Sequence, residues 1–161
     1  MRKTRQNRPE IPAIGEGKRG EAGHIGYLLR QAHAAHRIRM EKVLAESGMT
    51  LPQFSVLTML AAYPGASGAD LARLSLLTPQ TMSVIVGNLE KAGLVVRHAH
   101  AEHGRIRVIT LTEAGKALLE KGKAAAQSAD EALLAGLPEE QERVIRRWLV
   151  TVAKGDADQA G

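Results

Sequence analysis

The stretch "TPQTMSVIVGNLEKAGLV", residues 78–95, decides the fold that we predict for this chain. Its first residue, Thr78, is of a type that caps helix N-termini, because its hydroxyl oxygen can accept a hydrogen bond from a backbone N–H of the first turn. Pro79 follows at the first helical position, where a missing N–H costs nothing. Gly93 supplies a stop at the other end. The sequence therefore predicts a helix with well-marked ends over about residues 78–91.

The two faces of this predicted helix differ in character. One face carries an apolar stripe at helical spacing, formed by Met82, Ile85, Val86 and Leu89. The side chains on or near the other face are small and uncharged, namely Gln80, Thr81, Ser83, Val84, Gly87 and Asn88. A helix face that is merely solvated usually carries charged side chains. The outer face of this helix is therefore unusual for a solvated surface.

Two short runs rich in Val and Ile follow the predicted helix. They read "LVVRH" at 94–98 and "RIRVITL" at 105–111, and the polar stretch "AHAEHG" separates them. This pattern predicts a β-hairpin. Because side chains alternate between the two faces of a strand, Arg105 and Arg107 are expected on the same face of the hairpin.

Helical periodicity recurs on both sides of this region. The predicted segments are a long helix from Ile25 to a stop at Gly48, a helix at Leu51–Tyr63, a short segment in which Leu71, Leu74 and Leu77 share a face, a helix from Thr112 toward Leu137, and a last helix opened by Pro138. A helix pair joined by a tight turn places its second helix in the major groove, and a following hairpin can lie along the adjacent backbone or minor groove. The predicted fold class is mainly α with a small β-hairpin wing, a winged helix-turn-helix.

The long helices at either end have no place in that module and present apolar stripes that need partners. Burying them between two copies of the chain would make a two-fold homodimer, which matches the pseudo-palindromic operators that such proteins read. We predict a DNA-binding lobe at about 50–111 and dimerisation helices at about 24–47 and 112–153. Residues 1–23 carry six Lys or Arg and no apolar periodicity, so they are expected to be a mobile basic arm or a tail with no role, and 154–161 a second tail.

Composition excludes several classes of protein. The net charge of +5 favours an anionic partner such as double-stranded DNA, although it is also compatible with simple solubility. With no cysteine, the chain has no disulfide, no thiolate ligand and no thiol redox chemistry. No apolar run is long enough to span a membrane, and no secretory signal is visible, which predicts a cytoplasmic protein without a membrane partner. No phosphate loop or nucleophile motif is found, so we predict neither an enzyme nor a cofactor.

Two stretches resemble the MarR family of bacterial transcriptional regulators. They are "GADLARLSLLTPQTMSVIVGNLEKAGLVVR" at 68–97 and "GRIRVITLTEAGKAL" at 104–118, and the resemblance covers about residues 24–153. It implies a homodimer joined through its terminal helices, a reading helix at about 78–91 and a wing at about 97–107. It also implies an effector pocket between the dimer helices and the DNA-binding lobes.

The chain departs from the family pattern at three positions. His103 stands where the wing tip commonly has an Asp, so the wing lacks a fixed charge that would hold it rigid. Val84 stands where the reading helix often has an arginine, and a second family arginine often lies near the position of Asn88. Base discrimination would then depend on thymine methyl contact from Val84 and on polar contacts from its neighbours. The predicted DNA-binding residues are Thr78, Gln80, Thr81, Ser83, Val84, Asn88, Arg97, Arg105 and Arg107, although Arg97 could instead hold the base of the hairpin.

The histidines leave alternatives open. His98, His100 and His103 could form a metal site, a pH-sensitive wing or only a polar loop, and we predict no metal site. His33 and His36 lie on the first long helix among arginines. They could line a pocket for a small, anionic effector, or they could be exposed or hydrogen-bonded at the dimer seam.

The predicted function is that of a dimeric, sequence-specific regulator of transcription, a repressor released by a small-molecule effector. The alternative is a winged-helix module with weak DNA readout that binds effectors or proteins. The missing arginines of the reading helix keep that alternative open.

Overall fold

A computed structural model of the chain describes residues 10–99 and 107–155. The described elements are a 3₁₀ turn at Gly17–Arg19, then α1 (Ile25–Glu46), α2 (Leu51–Ala62), α3 (Gly68–Leu74), α4 (Pro79–Lys91), β1 (Val95–Ala99), β2 (Arg107–Leu111), α5 (Glu113–Leu134) and α6 (Glu139–Lys154). The two strands pair antiparallel, with Arg97 opposite Ile109 and Ala99 opposite Arg107. The predicted fold class, mainly α with one small hairpin, is confirmed.

The chain divides into two compact units, Met1–Arg39 and Met40–Gly161, so that the division falls inside α1. In the first unit, the Arg19 guanidinium donates hydrogen bonds to the Pro12 carbonyl oxygen at 2.8 Å and to the Gln31 amide oxygen at 3.4 Å. The mobility predicted for the arm at 1–23 and the predicted domain limits stay predictions.

The core of the second unit is built around α4. Met82, Val86 and Leu89 are almost fully buried and Ile85 is half-buried, so the predicted apolar stripe faces inward as expected. The other large buried side chains of this core come from α2, α3, the hairpin and α5, and they include Val56, Leu57, Leu71, Val95 and Leu119. Each large apolar side chain buried in this way contributes about 1.5–3 kcal/mol to stability. The core thereby fixes which face of α4 remains available to a partner.

A second group of buried residues joins the end of α1 to α5. Met40 and Leu44 pack with Ala126 and Ala129. Nearby on α5, Gly122 lets α2 approach closely, because a Cβ there would lie 2.9 Å from Cδ2 of Phe54.

The ends of α2, α3, α4 and α5 are capped by side chains. Thr78 caps α4 and Thr112 caps α5, as the sequence predicted. The Thr50 and Ser67 hydroxyls cap α2 and α3, and in each case a side chain three residues later bonds back to the cap N–H. Caps of this kind contribute about 1 kcal/mol each.

Two predicted apolar stripes contain side chains that are exposed in the single chain. In the α3 segment, Leu71 is buried and Leu77 packs against the core, whereas Leu74 is exposed. The helix ends at Leu74, and the chain then changes direction. On α6, the predicted stripe exists but stays uncovered in the single chain: Val144, Ile145, Trp148, Leu149 and Val152 are all at least 40% exposed.

Candidate nucleic-acid interface

The interface begins at the N-terminus of α4. The Thr78 hydroxyl oxygen accepts a hydrogen bond from the Thr81 backbone N–H at 3.1 Å, and the two hydroxyl oxygens are 2.9 Å apart. Both side chains are exposed. The cap therefore fixes the first turn of α4 and leaves two hydroxyl groups at the surface.

The outer face of α4 is accessible along its length. Gln80, Ser83, Val84 and Asn88 are all exposed, and Val84 has 63% of its surface free. These side chains supply amide and hydroxyl groups that can hydrogen-bond base edges, together with one apolar side chain that suits a thymine methyl group. The structure thus brings together the reading-helix residues that the sequence predicted, and their contact with DNA stays a prediction.

A groove runs beside this helix, between α4 and the hairpin. It has a volume of about 260 Å³, and it is lined by Gly68, Ala69, Pro79, Met82, Ser83, Val86, Arg97, Arg107 and Ile109. Arg97 and Arg107 come from different strands, but the strand register places both on the same face of the hairpin as Ile109. Two cations therefore border an apolar floor next to the predicted reading helix.

The two arginines of the groove differ in their partners. The Arg97 Nε lies 3.4 Å from a Glu90 carboxylate oxygen, and both side chains are partly exposed. This ion pair joins β1 to the end of α4, which matches the alternative role of holding the base of the hairpin. Within the described ranges, no carboxylate lies within 4.0 Å of the exposed Arg107 guanidinium. Arg107 is therefore the more available of the two for a phosphate.

Some predicted wing residues fall outside the structural description. Arg105, His100 and His103 lie in the segment 100–106, outside the described residues. His98 lies exposed on β1. Among the residues that the structure describes, no group of three or more acidic, histidine or cysteine side chains is placed to hold a metal ion.

The hairpin is attached to α3 through Ser67. Ser67 forms an isolated antiparallel bridge with Val108 of β2, while its side chain caps α3. The Asp70 carboxylate accepts hydrogen bonds from the Ser67 hydroxyl at 2.6 Å and backbone N–H at 3.1 Å, and from Arg73. The bonds from Ser67, reinforced by Arg73, lower the pKa of Asp70 from 3.8 to about 2. Sequence reasoning missed both the bridge and the cap. The spacing of "SGAD" is that of a capping box, so it could have indicated the cap.

A second attachment joins the end of α4 to α5. The Thr112 hydroxyl donates to the Gly93 carbonyl oxygen at 2.7 Å and accepts from the Gly115 N–H at 3.0 Å. Gly115 packs directly on the Leu94 carbonyl group, which itself accepts a hydrogen bond from the Thr112 N–H at 3.1 Å. The helix predicted to dimerise is thereby bonded to the residues that follow the reading helix.

The predicted effector residues lie in the first unit, on α1. His33 is exposed and His36 is partly buried. The Nδ1 atom of His36 is buried and has no hydrogen-bond partner among the described residues.

The helices that the structure describes include none with the length and apolar character needed to span a bilayer.

A capped helix with an exposed polar face, a preceding short helix and a hairpin bearing arginines define a winged helix-turn-helix, a class of DNA-binding protein. The sequence profile of the MarR family matches residues 47–106. The HTH-type transcriptional repressor Rv2887 of Mycobacterium tuberculosis is 41% identical over 125 residues, which cover 78% of this chain and 90% of that relative. The chain therefore belongs to the MarR family, whose members are DNA-binding transcriptional regulators and not enzymes.

Solved structures give the same assignment. Rv2887 in complex with DNA is 37% identical, with a TM-score of 0.67, and the match covers 81% of this chain and 98% of that one. CouR from Rhodococcus jostii, bound to p-coumaroyl-CoA, is 27% identical with a TM-score of 0.77, covering 83% and 94% of the two chains. The recognised family and the winged helix-turn-helix fold predicted from the sequence are both confirmed.

Proposed function

We propose that the protein acts as a homodimer that binds a pseudo-palindromic site in double-stranded DNA, represses transcription there, and is released by a small anionic effector. The observation that carries this proposal is the groove between α4 and the hairpin. In this groove the exposed Arg107 lies beside a helix whose free face carries groups able to hydrogen-bond base edges. Phosphate contacts position such a protein, and contacts to base edges specify the sequence.

The homodimer is supported by α6. An uncovered apolar stripe on a terminal helix needs a partner, and a second copy of the chain supplies the same stripe related by a two-fold axis. A two-fold dimer presents two reading helices to two half-sites, which lie one helical turn or a multiple of it apart. The dimer acts in the cytoplasm, where chromosomal DNA is accessible.

The effector proposal is supported by relatives and by His36. Rv2887 has been solved with salicylic acid, at 39% identity and a TM-score of 0.66, and with p-aminosalicylic acid. Both compounds are aromatic carboxylates. In this chain, the buried Nδ1 of His36 lacks a partner among the described residues, and His33 lies three residues earlier, on the same side of the helix. We assign these two side chains to the effector.

The proposal is tested by fluorescence anisotropy with a duplex taken from upstream of the protein's own gene and a shuffled duplex of the same composition. Binding is measured at about 50 mM and 200 mM salt. The expected result is preferential binding to the upstream duplex that weakens steeply with salt. Equal affinity for the two duplexes would favour the alternative, a winged-helix module with weak DNA readout, which the absence of arginine from the exposed face of α4 makes the second candidate.

The effector is tested by adding salicylate to the preformed complex. Release of the duplex by salicylate is expected for the wild type, and a weaker response for His36→Gln. His24→Gln is the matched control, since His24 is exposed and precedes α1. An equal response from both variants would remove His36 from the effector site without affecting the assignment of DNA binding.

A further inference from the structure

The turn between α3 and α4 contains a leucine in a conformation that favours glycine. Leu76 has φ +54°, and no other non-glycine residue in the described part of the chain has a positive φ. The N–H of Leu77 donates to the Ala72 carbonyl at 2.9 Å, and the N–H of Leu76 donates to the Arg73 carbonyl at 3.2 Å. This is the hydrogen-bond pattern of a Schellman motif, in which the left-handed position is usually glycine. A leucine there costs free energy, because its Cβ crowds the backbone.

Packing within the chain does not offset this cost. The Leu76 side chain is 93% exposed, the highest value for any large apolar residue that the structure describes. Its neighbour Leu77 supplies the apolar contact that the turn makes with the core. Replacing Leu76 would therefore remove backbone strain and lose almost no buried surface.

The position of Leu76 indicates what covers it. Only Leu77 separates it from Thr78, so that its Cα lies at most about 7.6 Å from the Cα of the cap of α4. The backbone of a bound duplex runs past the N-terminus of a reading helix, where phosphates meet helix N–H groups. The leucine side chain has no polar atom for a phosphate. The carbon-rich face of the duplex backbone at this place is the deoxyribose.

We infer that Leu76 is a DNA-contacting residue that packs on a deoxyribose beside the N-terminus of α4, and that this contact compensates the strain of the turn. The inference rests on the proposed function. Leu76 would supply an apolar contact with DNA that does not depend on base sequence, in addition to the polar contacts of the reading helix. Because the contact carries no charge, it also releases no counterion.

Three substitutions at Leu76 separate strain from contact. Gly and Asn both tolerate the left-handed conformation and remove the apolar side chain, whereas Met keeps an apolar side chain in the strained turn. Leu76→Gly and Leu76→Asn are expected to raise the melting temperature of the dimer. They are also expected to weaken duplex binding about fivefold per protomer, hence about 25-fold per dimer, which corresponds to losing part of the burial of one leucine side chain. Leu76→Met is expected to bind like the wild type.

The measurement is anisotropy with the upstream duplex and the shuffled duplex, each over a range of salt concentrations. A deoxyribose contact predicts the same fold-loss on both duplexes and an unchanged dependence of log K on log salt. Wild-type affinity in the more stable Gly and Asn variants would overturn the inference, as would a changed salt slope. If the wild type does not prefer the upstream duplex, the proposed function fails. The affinity that the Leu76→Gly and Leu76→Asn variants lose for the shuffled duplex still tests the contact made by Leu76.

Discussion

Gly115 offers the sharpest test of how α5 is attached to the DNA-binding lobe. A Cβ at this position would lie 3.0 Å from the Leu94 carbonyl carbon and closer still to its oxygen, which is nearer than side-chain carbons approach backbone in folded proteins. The carbonyl cannot simply turn away, because its oxygen accepts the Thr112 N–H. Gly115→Ala must therefore displace the first turn of α5.

The cost follows from these contacts. Overpacking costs about 1–3 kcal/mol, and a lost hydrogen bond about 1 kcal/mol. Replacing glycine by alanine inside a helix stabilises the helix by about 0.5–1 kcal/mol, which offsets part of this cost. The expected net loss is about 1–3.5 kcal/mol, or roughly 2–14 °C in Tm at about 2–4 °C per kcal/mol for a chain of this length.

The assay is urea unfolding followed by circular dichroism at a fixed protomer concentration, because the stability of a dimer depends on concentration. Gly87→Ala is the matched control: Gly87 lies inside α4, and a Cβ there meets nothing within 4 Å. The control is expected to be as stable as the wild type or slightly more stable. If Gly115→Ala unfolds at the same urea concentration as Gly87→Ala, the close approach of α5 to Leu94 is refuted.

Three further predictions concern charge and assembly. Asp70 has a lowered pKa in the folded state, so its contribution to stability is present above pH 3.8 and is lost as the pH falls toward about 2. The free energies of unfolding of the wild type and Asp70→Asn should therefore converge over that range. A difference that stays constant with pH would contradict this prediction. Arg107→Ala should reduce the slope of log K for DNA binding against log salt concentration by about 0.9 per protomer. Arg97→Ala should reduce this slope by less, because Arg97 pairs with Glu90. Equal slopes in the two variants would refute this difference. Trp148→Glu should shift the sedimenting species from dimer to monomer, and an unchanged dimer would exclude this face of α6 from the interface.

The local features of the fold could be predicted from the sequence. The Thr78 cap and the apolar stripe of α4 depend on residues within four positions of each other, where helix geometry alone decides which side chains meet. The hairpin followed from strand alternation, whereas the expectation that Arg105 and Arg107 share a face stays a prediction, because Arg105 lies outside the described residues. The polar face of α4 was therefore available from the sequence alone.

The long-range features could not be predicted in the same way. The bridge from Ser67 to Val108 joins residues far apart in sequence, and the fit of Gly115 on Leu94 depends on how two elements pack. Leu76 was missed for a different reason, since the left-handed position of a helix end is recognised by glycine and here it holds leucine. The exposure of Leu74 reflects the early end of α3, a boundary that periodicity does not define.

A hydroxyl-radical footprint of the wild-type protein on the duplex from upstream of its gene tests the central claim most directly. Two reading helices in a two-fold dimer predict two protected patches related by a dyad, with centres about 10 base pairs or a whole multiple of that distance apart. Arg107→Ala should weaken both patches equally at a given protein concentration, because each protomer contributes one Arg107. A single patch, or uniform protection along the duplex, would contradict the account of a dimer that reads two half-sites through α4 and its wing.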